Sequence, residues 1–314
     1  MKVLLSILRE YADVGDDQDV IATALNTLGL AVESIEVVGT PVAGVVTARV
    51  LRTQKHPEAD RVTRVWVDSG DGIEKHVWCG ATNMKANDVV ALATIGTTMP
   101  DGRDIARRGI LGIDSEGMLC SAIELGLGDD TSGIMIFAPD TPLGLSPFAM
   151  LDIERDVLFD LDLTRNRPDC WGHLGVARDL AAHFQIPMRQ AQTFAAGKSV
   201  GPSASVDIVR DDRCAMFSVQ VISGIKVAPS PNWVVSRLHA LGMRSINNVV
   251  DASNLVMLEL NQPNHAYDAD VVNSFRIRCA HKKETIVTLD GVARVLHDDD
   301  LLICNAADDS AVGL

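Results

Sequence analysis

The sequence lacks the patterns that place cysteine or histidine in a metal site or a disulfide framework. Its six cysteines, at positions 79, 120, 170, 214, 279 and 304, include no Cys-x₂-Cys pair, and its eight histidines form no His-x₃-His or His-Glu-x₂-His arrangement. A zinc ribbon or a stapled secreted fold needs closer spacing than this. We therefore predict buried free thiols and no metal site.

Long apolar runs are missing as well. No stretch approaches the roughly 18 consecutive apolar residues that a membrane-spanning helix requires. The apolar start of the chain is interrupted by Arg9 and Glu10 before it reaches the length of a signal peptide. These absences predict a cytoplasmic protein that does not bind a membrane.

Positive charge and aromatic side chains are both scarce. The chain has 28 Lys and Arg against 42 Asp and Glu, which gives a net charge of −14, and aromatic residues make up 4% of it. Residues 41–150 carry 10 basic and 14 acidic side chains, a net of −4. Binding to nucleic acid through counterion release needs clustered Lys and Arg. Any such contact therefore requires a local patch, and the few aromatics disfavour both sequence-specific base reading and sugar binding by stacking.

What is present fits a folded protein of about two domains, since 314 residues exceed one domain of about 150. Residues 1–39 predict a short strand and then a helix that Asp16 or Asp17 caps and Gly29 ends. In residues 41–150, short β-branched runs alternate with Gly, Asp and Asn turns, a texture typical of a small barrel.

The chain then returns to the type of structure with which it began. A strand is predicted over 152–163 and a helix over 174–184, so the barrel reads as an insertion into the first domain. Residues 190–205 are rich in Ala, Gly, Ser and Gln, which predicts a linker or, equally well, a long surface loop.

The part after the linker predicts a second α+β region. Strands are expected at about 204–209 and 215–225, followed by a helix that begins with Ser230 as cap and Pro231 at its first position. A second helix is expected over 249–258, and the rest is rich in β-branched residues. Because the chain finishes on an apolar run without a turn, we expect it to end inside a domain.

Three sequence blocks in the barrel region occur in a specific order. Residues 108–127 contain a glycine-punctuated turn whose glycines let the backbone approach a ligand or a neighbouring strand closely. Together with residues 56–62 and 77–83, this run resembles the tRNA-binding oligonucleotide/oligosaccharide-binding (OB) module of synthetase-associated proteins. Arg61 and Ala122 depart from the usual lysine and acid of that module.

The resemblance implies a nucleic-acid face on one side of the barrel and its adjoining loops. We place it at residues of the two later blocks and their surroundings that are polar or basic, with one methionine, namely Asn83, Lys85, Arg107, Arg108, Ser115, Met118 and Ser121. For Met118, packing in the core is an equally good reading. For Arg107 and Arg108, the alternative is a solvated loop without a ligand.

The flanking segments identify the family. Residues 1–11, 161–180, 244–254 and 262–268 resemble, in this order, segments of the bacterial phenylalanyl-tRNA synthetase beta subunit. The resemblance implies an α+β multidomain fold, in which a small α/β domain with an inserted OB-fold barrel precedes a partial editing domain. The implied domains are a discontinuous assembly domain (1–40 with 151–190), a tRNA-binding OB-fold domain (41–150), a linker (191–205) and a truncated editing domain of the B3/B4 type (206–314).

The family's enzyme is an α₂β₂ heterotetramer that charges tRNA(Phe) with phenylalanine, using ATP and Mg²⁺. The resemblance implies that the alpha subunit carries out aminoacylation, while the beta subunit binds tRNA and hydrolyses mischarged tyrosyl-tRNA. Such editing is needed because a pocket shaped for a phenyl ring rejects an added hydroxyl by only about 100-fold. We expect no cofactor in this fragment and no aminoacylation by it alone.

The family's editing pocket maps onto four residues of this sequence. Ser253 and His265 fall at its reactive positions, with Asn247 and Asn248 as supports. His265 is suited to orient or deprotonate water because its ordinary pKa is about 6.5. A purely structural hydrogen bond is an equally good reading of His265, and Asn247 and Asn248 fit turn or cap positions better than ligand contacts. The family's remaining pocket elements would follow residue 314, so we expect this fragment to lack editing activity.

Three other functions compete with this one. A freestanding tRNA-binding OB-fold protein is the main alternative, and it predicts a chain that ends near residue 150. A freestanding editing hydrolase would not need residues 1–40 and 152–185. A carbohydrate-binding OB protein is disfavoured by the shortage of aromatics.

Overall fold

A computed structural model describes residues 1–55, 62–110, 113–127, 133–189, 203–288 and 291–313. The chain divides into two compact units, Met1–Ala191 with Ala228–Asn264, and Gln192–Val227 with His265–Leu314. Among the described residues, no helix is both long enough and apolar enough to cross a membrane.

Within the described residues, strands outnumber helices and occur mostly in two long runs. The strands are β1 (Lys2–Leu4), β2 (Ala31–Val38), β3 (Val45–Lys55), β4 (Thr63–Asp68), β5 (Lys75–Cys79), β6 (Val89–Thr94), β7 (Arg108–Ile110), β8 (Ile113–Ser115), β9 (Gly117–Leu119), β10 (Ile136–Phe137), β11 (Asp156–Asp162), β12 (Ser205–Ile208), β13 (Ser274–Cys279), β14 (Thr285–Val287), β15 (Ala293–Val295), β16 (Leu301–Asn305) and β17 (Ala311–Gly313). The helices are α1 (Leu5–Tyr11), α2 (Gln18–Thr27), α3 (Pro147–Met150), α4 (His173–Phe184), α5 (Asn232–Ala240) and α6 (Asn248–Leu260).

The first unit begins with a three-stranded antiparallel sheet in the order β1-β11-β2. In the sequence, the whole barrel region lies between β2 and β11 of this sheet, so the barrel is an insertion. This arrangement confirms the predicted fold class. Helix α2 has Asp17 as its N-cap, whose carboxylate accepts hydrogen bonds from the N–H groups of Asp19 and Val20. Gly29 lies just past its end with a φ of +78°, a conformation that glycine adopts without steric cost.

The barrel is a six-stranded, nearly closed sheet. Its strands run in the order β10-β6-β3-β4-β5, and β9 pairs with the edge of β6. The Glu116 N–H donates to the His76 carbonyl at 2.7 Å, which links β5 to the residue before β9. Alternate side chains from the strands fill the interior, as the period of two requires. This interior cluster consists of Ala48, Val50, Val65, Val67, Val77, Cys79, Val90, Leu92, Leu119 and Ile134.

One outer face of the same barrel is buried. Val45, Ala91 and Ala93 point away from the interior, yet each is almost fully excluded from solvent. They pack in a second cluster with Met99 and Phe148, the latter from helix α3. Small side chains on the strands therefore let a loop and a short helix lie directly on this face.

Helices α4 and α6 are joined to β1 by a buried histidine. His173, with no exposed surface, accepts a hydrogen bond from the Leu4 N–H at its Nε2 (3.0 Å). Its Nδ1 lies 2.8 Å from the Leu258 carbonyl. A carbonyl can only accept, so Nδ1 carries the proton and the ring is neutral. Burial holds the pKa of His173 at about 4.

Ser230 was predicted as the N-cap of helix α5, and this prediction was wrong. Pro231 is the N-cap residue, and no side chain caps the helix. The Ser230 hydroxyl instead donates to the carboxylate of Asp251, which is buried and also accepts from Ser245 and Ile246. Burial alone would raise the pKa of Asp251, but these hydrogen bonds outweigh it and lower the pKa. Both α5 and α6 fall within the predicted 206–314 domain, and both belong to the first unit.

The second unit contains a four-stranded sheet in the order β12-β13-β16-β17 and the hairpin β14-β15. The strand expected at 204–209 is present as β12, but the strand expected at 215–225 was wrong, because these residues have no strand structure. Side chains of this segment lie exposed, including Met216 and Ile222. A β-prone sequence forms a strand only when another strand pairs with it.

The prediction of free thiols is confirmed for all six cysteines, and that of their burial for four. Cys79, Cys120, Cys170 and Cys304 are buried. Burial raises the pKa of Cys120 to about 12, so its thiol stays protonated at neutral pH. Cys214 and Cys279 are only partly buried.

Candidate functional site

The outer face of β4 and β5 differs from the rest of the barrel surface. In β4 the valines 65 and 67 point inward, so Arg64 and Trp66 point outward. In β5 the same alternation turns His76 and Trp78 outward. Cross-strand register pairs Arg64 with Trp78 and Trp66 with His76, which brings all four side chains into one cluster.

A β-bulge adds a fifth side chain to this cluster. Val50 of β3 points into the barrel and pairs with Val67, but the register then shifts so that Arg52 pairs with Trp66. Leu51 is the extra residue of the bulge, and it turns Arg52 to the outside. The Arg52 guanidinium lies 4.3 Å from the Trp66 ring centroid, within the range of a cation–π contact. We call Arg52, Arg64, Trp66, His76 and Trp78 the aromatic–arginine platform.

Hydrogen bonds fix the side chains of the platform. Arg64 Nε donates to His76 Nε2 at 3.2 Å, while His76 Nδ1 lies 2.7 Å from the Asp114 carbonyl. His76 is therefore neutral with its proton on Nδ1. The Trp78 indole N–H donates to the Ile113 carbonyl at 2.9 Å. Arg64 also lies over Trp66, 4.8 Å from its ring centroid.

An ion pair holds Arg52 from its other side. Its two guanidinium nitrogens donate to the two carboxylate oxygens of Glu74, at 2.5 and 2.7 Å. This bidentate contact raises the pKa of Arg52 and lowers that of Glu74, through the hydrogen bonds above all. The orientation of Arg52 over Trp66 is thus set by a second residue of the barrel.

Three of the residues predicted to contact tRNA have their side chains engaged within the barrel. The Asn83 amide donates to the Ile134 carbonyl (2.9 Å) and accepts from the Ile134 N–H (3.2 Å). The Ser115 hydroxyl donates to the Gly117 carbonyl and accepts from the Trp78 N–H. Ser121 donates to Glu124 through both its hydroxyl and its N–H.

The other predicted residues lie at the surface or at its edge. Arg107 forms an ion pair with Glu116 at 2.9 Å and lies 3.9 Å from Asp114. Arg108 is exposed on β7, and Lys85 is exposed in the loop before β6. Met118 is partly buried against the second apolar cluster, as the core reading of this residue expected.

The glycines of the block from 108 to 127 were predicted to let the backbone approach a neighbour closely, and Gly117 does so. A Cβ added there would lie 2.7 Å from the Ala93 carbonyl oxygen, so only glycine lets β9 approach β6 this closely. Residues 111 and 112 of this block and residues 56–61 of the first block lie outside the described residues, including Arg61.

The aromatic–arginine platform was not found by sequence reasoning. The overall aromatic content is low, yet two of the four tryptophans stand at alternate positions next to inward valines. The pattern Arg-Val-Trp-Val in β4 and His-Val-Trp-Cys in β5 contains the signal, because period two separates the outward side chains from the core.

Two residues predicted to support an editing pocket occupy positions around the start of α6. Asn247 is the N-cap, and its side chain accepts from the N–H groups of Val249 and Val250, both at 3.1 Å. The Asn248 side chain accepts from the Ala228 N–H at 3.1 Å. Both asparagines thus have the cap and turn roles that the sequence favoured over ligand contacts.

The two candidate reactive residues of the editing pocket belong to different units. Ser253 lies on α6, and its hydroxyl donates to the Asn264 carbonyl at 3.1 Å. His265 begins the second segment of the other unit, where its ring centroid lies 6.3 Å from that of Tyr267. Tyr267 in turn contacts Phe275 edge-on, at 5.2 Å.

Within the described residues, Asp169, Cys170 and Asp179 place three possible metal-ligand atoms within 4.8 Å of one another. The Arg167 guanidinium, however, donates to all three side chains. It lowers the pKa of Asp169 to about 2, chiefly through its hydrogen bond. Mg²⁺ prefers oxygen ligands and water, so this arginine-filled cluster does not fit it.

Comparisons with known proteins agree with the geometry of the barrel. Residues 45–146 match the family model described as "Putative tRNA binding domain", and residues 213–313 match the one described as "B3/4 domain". The phenylalanine–tRNA ligase beta subunit of Fusobacterium nucleatum is 39% identical over 317 aligned residues, which cover 100% of this chain and 39% of that protein. The chain belongs to this beta subunit family.

A second relative gives the same result. The phenylalanine–tRNA ligase beta subunit of Anaeromyxobacter dehalogenans is 40% identical, covering 99% of this chain and 39% of its own length. This chain thus spans about two fifths of the curated relatives it matches. Among solved structures, the MetRS related protein from Pyrococcus horikoshii aligns with 32% of this chain and 86% of its own, with 14% identity and a TM-score of 0.25.

Proposed function

We propose that this chain acts as part of the beta subunit of a cytoplasmic phenylalanine–tRNA ligase, in an α₂β₂ assembly with an alpha subunit. The observation that carries the proposal is the extent of the similarity, which runs along the whole chain. A freestanding tRNA-binding barrel would share only residues near 45–146 with such proteins. The function of the assembly is then to charge tRNA(Phe) with phenylalanine.

The proposed role of the barrel is to hold tRNA. Among the residues predicted for this contact, Arg108 and Lys85 are exposed. Arg107 is positively charged as well, but it forms an ion pair with Glu116. Asn83, Ser115 and Ser121 would act by shaping the loops through the hydrogen bonds they make, and Met118 by packing. The net charge of −4 in this region makes the barrel an accessory contact rather than the main source of tRNA affinity.

The proposed role of residues 206–314 is to contribute to hydrolysis of tyrosyl-tRNA. We assign Ser253 to hydrogen bonding and His265 to orienting or deprotonating water, with Asn247 and Asn248 shaping the start of α6. In this proposal, residues 1–40 and 151–190 form the assembly domain, residues 41–150 bind tRNA, and residues 191–205 are a linker. It rests on the match to a B3/4 domain and on the sequence motifs.

ATP and Mg²⁺ would serve the aminoacylation reaction of the complete enzyme. The carboxylate cluster described above is neutralised by Arg167 and does not suit Mg²⁺. We therefore place no step of that reaction on the residues of this chain.

The proposal is tested on the full-length subunit co-expressed with a tagged alpha subunit. We expect the two to copurify and the complex to hydrolyse tyrosyl-tRNA. His265→Ala should lower this hydrolysis at least tenfold, since a positioned acid or base contributes about 100-fold or more, and should leave phenylalanine charging unchanged. His297→Ala is the matched control at an exposed position. Failure to copurify would overturn the assembly, and unchanged hydrolysis in His265→Ala would remove that residue from the mechanism.

A further inference from the structure

We propose that the aromatic–arginine platform on β3, β4 and β5 binds unpaired RNA bases by stacking. The inference rests on the proposed tRNA role of the barrel and assigns that role to a defined surface. Neither the resemblance to the OB module nor the family models assign Arg52, Arg64, Trp66, His76 or Trp78 to any contact.

The chemistry of the platform points to flat, unpaired ligands. Splayed-out RNA bases stack on Trp and His rings and on the planes of Arg guanidinium groups. Every one of the five side chains on this surface belongs to these types. Trp66 is half-buried and lies at the centre, with Arg52 and Arg64 over its ring and His76 at a ring-centroid distance of 4.9 Å.

The platform is organised before any ligand arrives. Glu74 holds Arg52, His76 holds Arg64, and the Asp114 carbonyl holds His76. Trp78 is 8% exposed and anchored through its indole N–H, so it forms the floor. Side chains that are already fixed lose less conformational entropy on binding, which favours affinity on a small surface.

The charge around the platform favours stacking over phosphate binding. Arg52 is paired with Glu74, while Arg107 nearby is paired with Glu116. Arg64 donates a hydrogen bond to a neutral histidine. Among the described residues, no carboxylate forms an ion pair with Arg64, so its positive charge remains available in the platform. One or two such charges suit a few phosphates of a single strand and do not suit the dense charge of a duplex.

The ligand follows from these properties as a short single-stranded segment of RNA. The guanidinium planes that lie over Trp66 can stack on any base, so the preference among bases should be weak. Bases within a duplex arm are stacked on one another and cannot reach the platform. The platform would therefore take unpaired nucleotides of tRNA, at a loop or at an end.

The test measures binding of fluorescent 12-nucleotide oligouridine and of a 12-base-pair RNA duplex to the 314-residue chain. Trp66→Ala should weaken oligouridine binding about tenfold, and Trp66→Phe should recover most of it by restoring a ring face. Trp171→Ala is the matched control, because that tryptophan is 48% exposed in the first unit, outside the barrel. The urea midpoint of each variant separates loss of binding from loss of folding.

The outcomes distinguish this inference from the proposed function. If Arg108→Ala weakens binding of unfractionated tRNA but Trp66→Ala does not, the platform is not the binding surface, and the tRNA role of the barrel stands. Tighter binding of the duplex than of oligouridine would also overturn the platform. If the chain binds neither RNA, both the tRNA role and the platform fail.

Discussion

Two regions of the first unit hold a histidine in the same way and use it differently. His173, between β1 and α6, and His76, on the outside of the barrel, are both neutral with a proton on Nδ1. Each donates from Nδ1 to a backbone carbonyl and accepts a hydrogen bond at Nε2. His173 has no exposed surface, however, whereas His76 is half-buried at the surface.

The difference shows that burial, not the hydrogen-bond pattern, separates a structural histidine from one available to a ligand. At His173 both partners are backbone groups of the core, and water cannot replace the ring. At His76 one partner is the side chain of Arg64, and the ring edge stays within reach of solvent. The same pair of hydrogen bonds thus joins three elements in one place and orients the aromatic–arginine platform in the other.

The sharpest test of this comparison replaces each histidine with alanine. His173→Ala leaves the Leu4 N–H and the Leu258 carbonyl buried without partners, each at a cost of about 1–3 kcal/mol. We therefore expect the free energy of unfolding to fall by about 4 kcal/mol. His76→Ala should cost less than about 1 kcal/mol, because water reaches its partners. Urea denaturation measures both, and equal losses would contradict the comparison.

Acid provides a second and somewhat smaller test. Burial holds the pKa of His173 at about 4 in the folded chain, against about 6.5 when unfolded. Between pH 4 and pH 6.5, His173 binds a proton in the unfolded chain but stays neutral in the folded chain. The stability contributed by this group is therefore complete above about pH 6.5 and is lost as the pH falls towards 4, by about 3 kcal/mol in all.

The measurement compares the wild-type chain with His173→Ala in urea at pH 7 and at pH 4. The gap in stability between the two should shrink at the lower pH, since only the wild type carries the penalty. A gap of constant size would show that His173 does not titrate in this range.

The smallest effect concerns the platform itself. Arg52→Lys keeps the positive charge but removes the planar guanidinium from the Trp66 ring and the bidentate contact with Glu74. We expect oligouridine binding to weaken about twofold to fivefold, with an unchanged urea midpoint. Arg178→Lys, at an exposed ion pair outside the barrel, serves as control. If both substitutions behave alike, the plane of Arg52 contributes nothing to binding.

Much of the fold was predictable because local chemistry and tertiary packing agree. Asp17 and Gly29 bound helix α2, and residues near 174–184 form α4 within one residue of the expected limits. The insertion of the barrel into the first domain followed from the return of similar structure after residue 150. In each case the hydrophobic period and the end signals point to the same element.

The predictions of secondary structure were wrong where a side chain had two possible hydrogen-bond partners, or where an expected strand had no other strand to pair with. Ser230 had the sequence of a helix cap, but its hydroxyl instead donates a charge-assisted hydrogen bond to the buried carboxylate of Asp251. Residues 215–225 alternate like a strand, yet strand formation requires pairing that sequence alone does not specify. The platform was missed because aromatic content was averaged over the chain, although its position within two strands is what matters.

The pairing of β2 with β11 has a consequence for how the first unit assembles. Val38 and Asp156 stand opposite each other in this antiparallel pair, so the barrel is the connecting loop of what is otherwise a hairpin. Closing a loop of more than a hundred residues is entropically costly when the loop is unstructured. Once the barrel has folded, its ends are already neighbours and the hairpin can zip directly. A folded barrel thus spares the β2–β11 pair the entropic cost of closing a long flexible loop.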